Sequence, residues 1–162
     1  MPDILSIHIE RLFYGKRVLL NDLKLKVENG ERILVTGITG SGKSSLLSTF
    51  NLMNRNWEGE ILFEGQNITE FPPEILRSRI CMVLQEPYLE DATVEEVLEL
   101  PFHYSSLKHK RLPDRQERIE NLFTAFQLPY ELLKKHTSQL SGGEKQRIAL
   151  IRVLQLQPDI LL

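Results

Sequence analysis

The 162-residue sequence holds a single cysteine, Cys81. An internal disulfide framework is therefore excluded, and the composition fits a reducing compartment. Cys81 stands in the apolar run ICMVL and reads as a small core hydrophobe. No apolar stretch approaches the ~20 residues that a membrane span needs, so direct membrane insertion is not expected. The N-terminal stretch MPDILSIHIER lacks a basic region followed by an apolar one, which argues against a signal peptide. A formal net charge of −2 removes the basic footprint of a general nucleic-acid binder, and no nucleic-acid partner is expected. Low-complexity tracts and internal repeats are missing as well.

What is there is 41% hydrophobic and 26% charged, a globular balance in a length that suffices for one domain with a sizeable core. Residues 4–9 set Leu5, Ile7 and Ile9 against Ile4, Ser6 and His8. This period of two predicts a half-buried strand with His8 on its wet face. Residues 22–28 repeat the pattern, with Leu23, Leu25 and Val27 inward, Lys24 and Lys26 outward, and a turn at Asn29-Gly30. Two such strands predict an antiparallel layer. The stretch RILVTG differs: Ile33, Leu34 and Val35 are continuously apolar, as in a strand covered on both faces. A glycine-rich loop follows, then a helix over about 43–53. EGEILFEGQNI predicts a strand and turn, PPEILRSR a short helix with Pro73 in its first turn, and ICMVL a second fully buried strand ending at Gln85.

From about 89 to 152 the pattern turns helical. Thr93 and Glu96 have capping-box spacing. Ile119, Leu122, Phe123 and Phe126 form one helical stripe, read as packing. Between these helices, His103, Lys108, His109, Lys110 and Arg111 read as a solvated basic connector.

The loop GITGSGKSS, residues 37–45, matches G-x-x-x-x-G-K-[ST] in full, after an apolar strand and before a helix. Polyphosphate carries several charges, and backbone N–H groups must wrap it closely. Gly37, Gly40 and Gly42, with Ser41 between them, permit that approach. The helix start at Lys43 adds its partial positive charge. Lys43 is expected to reach the β- and γ-phosphates, the Ser44 hydroxyl to ligate Mg²⁺, and Ser45 to bond the α-phosphate. ATP and Mg²⁺ are the ligands this predicts. The fold class is thus α/β: a P-loop nucleotide-binding core with an N-terminal antiparallel β layer and an inserted helical subdomain.

A second anion site is readable in LSGGEKQR, residues 140–147. Ser141 and Glu144 have capping-box spacing, so a helix starts there. Gly142 and Gly143 leave its first N–H groups unshielded, although each weakens a helix by about 1 kcal/mol relative to Ala.

LSGGEKQR resembles the signature motif of the ABC-type ATPases, the nucleotide-binding subunits of ABC transporters. Together with the phosphate loop, this resemblance covers essentially the whole chain. It implies that Tyr14, 23 residues before Gly37, is the aromatic that stacks on adenine. It implies that Gln85 is the glutamine that contacts Mg²⁺ and water and reports to the membrane subunit. It further implies a two-fold homodimer with ATP in the seam, each Lys43 loop facing Ser141, Gly142, Gly143 and Glu144 of the other copy. An integral membrane transporter subunit is the second partner implied, placing the protein in the cytoplasm, peripheral on the inner face of the membrane. Glu144 stands where the family often has Gln, a common variant.

Three divisions are expected: 1–88 as nucleotide-binding core with β layer, 89–152 as helical subdomain, and 153–162 as the return to the core. In relatives the strand opened here by DILL ends in Asp-Glu, the catalytic carboxylates. The resemblance therefore implies a chain that stops short of its catalytic Glu and is incomplete at the C-terminus. It is expected to bind ATP but hydrolyse it poorly, with the intact protein an ATPase in which Lys43 and Gln85 take part. Asp159, directly after Pro158, reads as a turn residue. The stretches LFEGQNIT and TVEEVLELPF resemble the iron-export type of subunit; lipoprotein-export, phosphate-import and amino-acid-import subunits are neighbours. Two rivals stand beside transport. One is a soluble ABC protein of DNA or translation, which would need long coiled coils or a second cassette. The other is a non-catalytic ATP-binding module.

Overall fold

A computed structural model describes residues 3–162. The chain divides into two compact units, residues 1–77 and 78–162.

The first unit is built on an antiparallel sheet. Strands β1 (Asp3–Tyr14) and β2 (Arg17–Glu28) form a long hairpin, with Ile7 opposite Leu25 and Ile9 opposite Leu23. Then come a short helix α1 (Lys43–Leu47), strand β3 (Trp57–Phe63) and strand β4 (Gln66–Asn67). The sheet order is β2-β1-β3-β4. Helix α2 (Pro73–Arg79) follows, with Pro73 as its first residue. The predicted alternation holds: Leu5, Ile7 and Ile9 are buried with Ile61 and Phe63 of β3, while His8 is exposed opposite Lys24. Leu23, Leu25 and Val27 are only half-buried, as befits an edge strand with a neighbour on one side.

Two expectations fail here. Residues 31–38 form no strand; Ile33 is 44%, Leu34 85% and Ile38 82% exposed. A strand exists only where a ladder partner takes up its N–H and C=O groups, and among the described residues neither sheet supplies one. The helix expected over 43–53 stops at Leu47. The Ser45 carbonyl accepts from the side chains of Ser48 (3.0 Å), Thr49 (2.8 Å) and Asn54 (3.2 Å). Such side-chain bonds offer the backbone an alternative to further helix, and Leu52 closes the turn at φ 59°.

The second unit combines a helical cluster with a short parallel strand pair. Strand β5 (Ile80–Cys81) lies parallel to β6 (Ile160–Leu161). Helices α3 (Val94–Glu99), α4 (Arg115–Ala125) and α5 (Gly142–Leu154) lie between them in sequence. Val94, Leu98, Ile119, Phe123, Leu132, Ile148 and Ile151 form one buried cluster, with Leu122 and Phe126 packed against it. The α4 stripe is therefore packing surface, as its spacing predicts. The run ICMVL is paired over less of its length than expected. Ile80 and Cys81 are buried and Val83 N donates to the Leu162 carbonyl at 3.0 Å, but Leu84 is 45% exposed. Two strands cannot cover a five-residue apolar run on both faces.

The basic connector is also more structured than predicted. It folds into short 3₁₀ turns at Leu100–His103 and Ser105–Lys110. Lys110 donates to the carbonyls of Ser78 (2.9 Å) and Leu156 (3.1 Å). Burial pulls its ammonium below the usual lysine range. Arg111 and Arg115 both pair with Glu99 at 3.0 Å. Among the described residues no helix is long and apolar enough to cross a membrane.

Candidate nucleotide and signature sites

In the first unit the chain turns through Gly37, Gly40, Ser41 and Gly42 into α1. Gly42 precedes the helix at φ 97°, a left-handed conformation that side chains disfavour. Its surroundings are equally restrictive: a Cβ there would lie 3.0 Å from Leu19 Cδ1. At Gly37 a Cβ would sit 2.9 Å from Ser41 Oγ. No side chain caps α1 at Gly42. Lys43 folds back into the loop, where its Nζ donates to the carbonyls of Gly37 (2.8 Å) and Ile38 (2.9 Å). The loop thus brings together a cation, a glycine backbone and an uncapped helix start, with Ser44 and Ser45 in the first turn. Tyr14 ends β1 in the same unit, 73% exposed, at the tip of the β1–β2 hairpin.

Gln85 and the signature stretch lie in the second unit. Gln85 is exposed, and its carbonyl accepts from Gln146 Nε2 at 3.2 Å. The start of α5 has the predicted capping box. Glu144 N donates to Ser141 Oγ at 3.3 Å, while the Ser141 amide and hydroxyl each donate to Glu144 Oε2 at 2.7 Å. The amide bond, then the hydroxyl bond, hold the Glu144 carboxyl below its usual range. Gly142 and Gly143 follow with no side chains, Gly142 and Ser141 exposed. The Thr93–Glu96 pair at α3 has the same double bond.

The structure adds contacts that sequence reasoning did not find. Arg152 of α5 donates to Glu90 Oε2 at 2.7 Å and to the Tyr88 carbonyl at 3.0 Å. Arg79 Nε donates to Asp159 Oδ2 at 2.7 Å, and Asp159 N to the Arg79 carbonyl at 2.8 Å. Asp159 is thereby engaged in holding β6 beside β5. These pairs are 62 and 80 residues apart in sequence, and no local spacing marks them.

Among the described residues no group of three His, Cys, Asp or Glu side chains could hold a metal ion. Mg²⁺ would instead be held by oxygen donors, phosphate oxygens among them, which suits its chemistry. The hydroxyl of Ser44, in the first turn of α1, fits that donor set.

A model of the ABC transporter family matches residues 20–162. The chain is 38% identical over 148 residues to the probable iron export ATP-binding protein FetA of Escherichia coli (strain K12), covering 91% of this chain and 64% of that protein. It is 34% identical over 158 residues to the methionine import ATP-binding protein MetN of Legionella pneumophila (strain Lens), covering 95% and 45%. Among solved structures it resembles cbiO1 from Clostridium perfringens, part of the ABC transporter complex cbiONQ, with a TM-score of 0.77 and 26% identity over 98% of this chain and 64% of that one. The chain therefore spans less than two thirds of the length of these relatives. With its phosphate loop and its capped, glycine-bearing α5 both in place, the chain belongs to the ABC transporter family as an ATP-binding domain.

Proposed function

We propose that this chain is the ATP-binding part of a transport ATPase that couples nucleotide binding and hydrolysis to movement of a solute through a membrane partner. The observation that carries this is Lys43: its ammonium lies inside the glycine loop, donating to two loop carbonyls, with its third N–H left for triphosphate oxygens. The amides around Gly37, Gly40, Ser41 and Gly42 wrap the phosphates, Lys43 neutralises the β- and γ-phosphates, and Ser45 bonds the α-phosphate. Ser44 ligates Mg²⁺, and Tyr14 stacks on the adenine. Gln85 takes part in contacting Mg²⁺ and the attacking water. Ser141, Gly142, Gly143 and Glu144 contact the γ-phosphate bound by a second copy of the protein. Mg²⁺, when bound, supplies charge neutralisation between the phosphates.

Hydrolysis needs a carboxylate free to polarise water. Asp159, which precedes β6, is paired with Arg79, so it is not that carboxylate. The transported class proposed is a metal ion, moving outward. The 38% identical iron-export relative supports that reading, with the methionine-import relatives as the contrast. The protein sits on the cytoplasmic face of the membrane through its partner.

Calorimetric titration with Mg-ATP tests the assignment. Binding is expected, and Lys43→Ala should weaken it roughly 100-fold, the effect of losing a charged hydrogen-bond donor. Equal affinity in parent and variant would overturn the reading.

A further inference from the structure

Helix α5 carries the Ser141–Glu144 cap at its start, and two of its later side chains reach the segment that begins at Gln85. Gln146 donates to the Gln85 carbonyl at 3.2 Å. Arg152, about 9 Å further along the helix axis, divides its guanidinium between the Tyr88 carbonyl (3.0 Å) and the Glu90 carboxylate (2.7 Å). Thr137, just before α5, closes the far end: its hydroxyl donates to the Glu90 carbonyl at 2.8 Å and its amide to the Ala92 carbonyl at 2.9 Å. Residues 82–92 include no helix or strand to hold them in place. These bonds hold them, together with the Val83–Leu162 backbone bond and the packing of Leu89 on the buried helical cluster. The Arg152–Glu90 contact is the one ion pair among these bonds, and both side chains are more than half buried.

We propose that Arg152 is a positioning residue: bonded to Glu90 and to the Tyr88 backbone, it locks the segment after Gln85 onto α5, so that Gln85 and the glycine-bearing helix start move as one body. This rests on the nucleotide roles assigned above. It extends them, because neither Arg152 nor Glu90 touches nucleotide in that reading. Planar geometry explains why arginine is needed. One guanidinium serves two acceptors through separate nitrogens, whereas a lysine ammonium at the same place reaches Glu90 and loses the Tyr88 carbonyl.

Three variants of the protein test the lock: Arg152→Ala, Arg152→Lys and Glu90→Gln. Two measurements are made on each. Amide hydrogen exchange over residues 85–90 should quicken about tenfold in Arg152→Ala and less in the other two, with β1 and β3 unchanged. ATP turnover per bound nucleotide should fall about five- to tenfold in Arg152→Ala, with KM for ATP within about twofold, because the segment is displaced while the triphosphate loop is untouched. Arg152→Lys should recover part of that loss. Counting turnover per bound nucleotide removes any inactive fraction that a purely structural defect would create. If Arg152→Ala does not fold, the two milder variants carry the test. Unchanged exchange over 85–90, or unchanged turnover per bound nucleotide, in the folded variants overturns the proposal. The exchange measurement needs no nucleotide, so a parent protein that fails to bind ATP would remove the functional reading and still leave the lock decided by exchange.

Discussion

At the residue scale, burial decides what Cys81 can do. The side chain is 4% exposed, and desolvation is the main reason its thiol is pushed up to about 11. The unfolded thiol ionises near 9.0, so between those values the unfolded state sheds the proton first. Stability linked to Cys81 is therefore intact below pH 9 and declines as pH rises toward 11, by about 2–3 kcal/mol in all. Urea midpoints measured from pH 8 to 11 should fall more steeply for the parent than for Cys81→Ala. Parallel curves would contradict this. Glu144 runs the other way. Its depressed carboxyl keeps the α5 cap formed above pH 4.5, and the cap is lost as pH falls through the lower folded value. Glu144→Gln, which can close the same box, should make the helicity of α5 insensitive to acid, read by the shifts of the Gly142 and Gly143 amides.

At the scale of elements, Gly59 shows how tightly β3 approaches β1. A Cβ at this position would stand 2.1 Å from the His8 carbonyl oxygen, and its φ is 121°. Gly59→Ala should cost about 1–3 kcal/mol, lowering the urea midpoint while the folded fraction binds Mg-ATP as before. Elements whose signal is local were legible in the sequence. The alternation of β1, the Pro73 start of α2 and the boxes at Thr93 and Ser141 each depend on neighbours within four residues. Elements whose existence depends on a remote partner were not. An apolar run such as 33–35 states a preference for burial without saying what will cover it, and here it stays open. The early end of α1 had a visible signal in Ser48, Thr49 and Asn54, since short polar side chains compete for backbone carbonyls. Lys110 gave none: a lysine in a basic run becomes a bridge only because Ser78 and Leu156 are brought to it by the fold.

At the scale of the whole molecule, the two motifs fall into different compact units, the phosphate loop in residues 1–77 and the signature helix in 78–162. The proposed pairing of two copies gives each motif its own assay. Ser141→Arg places a bulky cation at the α5 start and removes its cap, at about 1 kcal/mol of helix stability. It should leave Mg-ATP affinity nearly unchanged and abolish ATP-dependent dimerisation, as followed by light scattering. Dimerisation at the parent level would remove 141–144 from the seam. The resemblance of residues 37–45 and 140–147 to the family's motifs carried the reading to the fold and the expected nucleotide. The solute could not be read the same way, because a phosphate loop meets only the nucleotide.

The grip of the loop on its own lysine has one more effect. Two of the three ammonium N–H donors are already held by backbone acceptors, so a lone sulfate or phosphate gains only a single N–H of the cation. A chain of linked phosphates meets several amides at once and gains far more. Cellular inorganic anions should accordingly be poor competitors, and selectivity for polyphosphates would then begin in the resting loop, before magnesium or a second copy takes part.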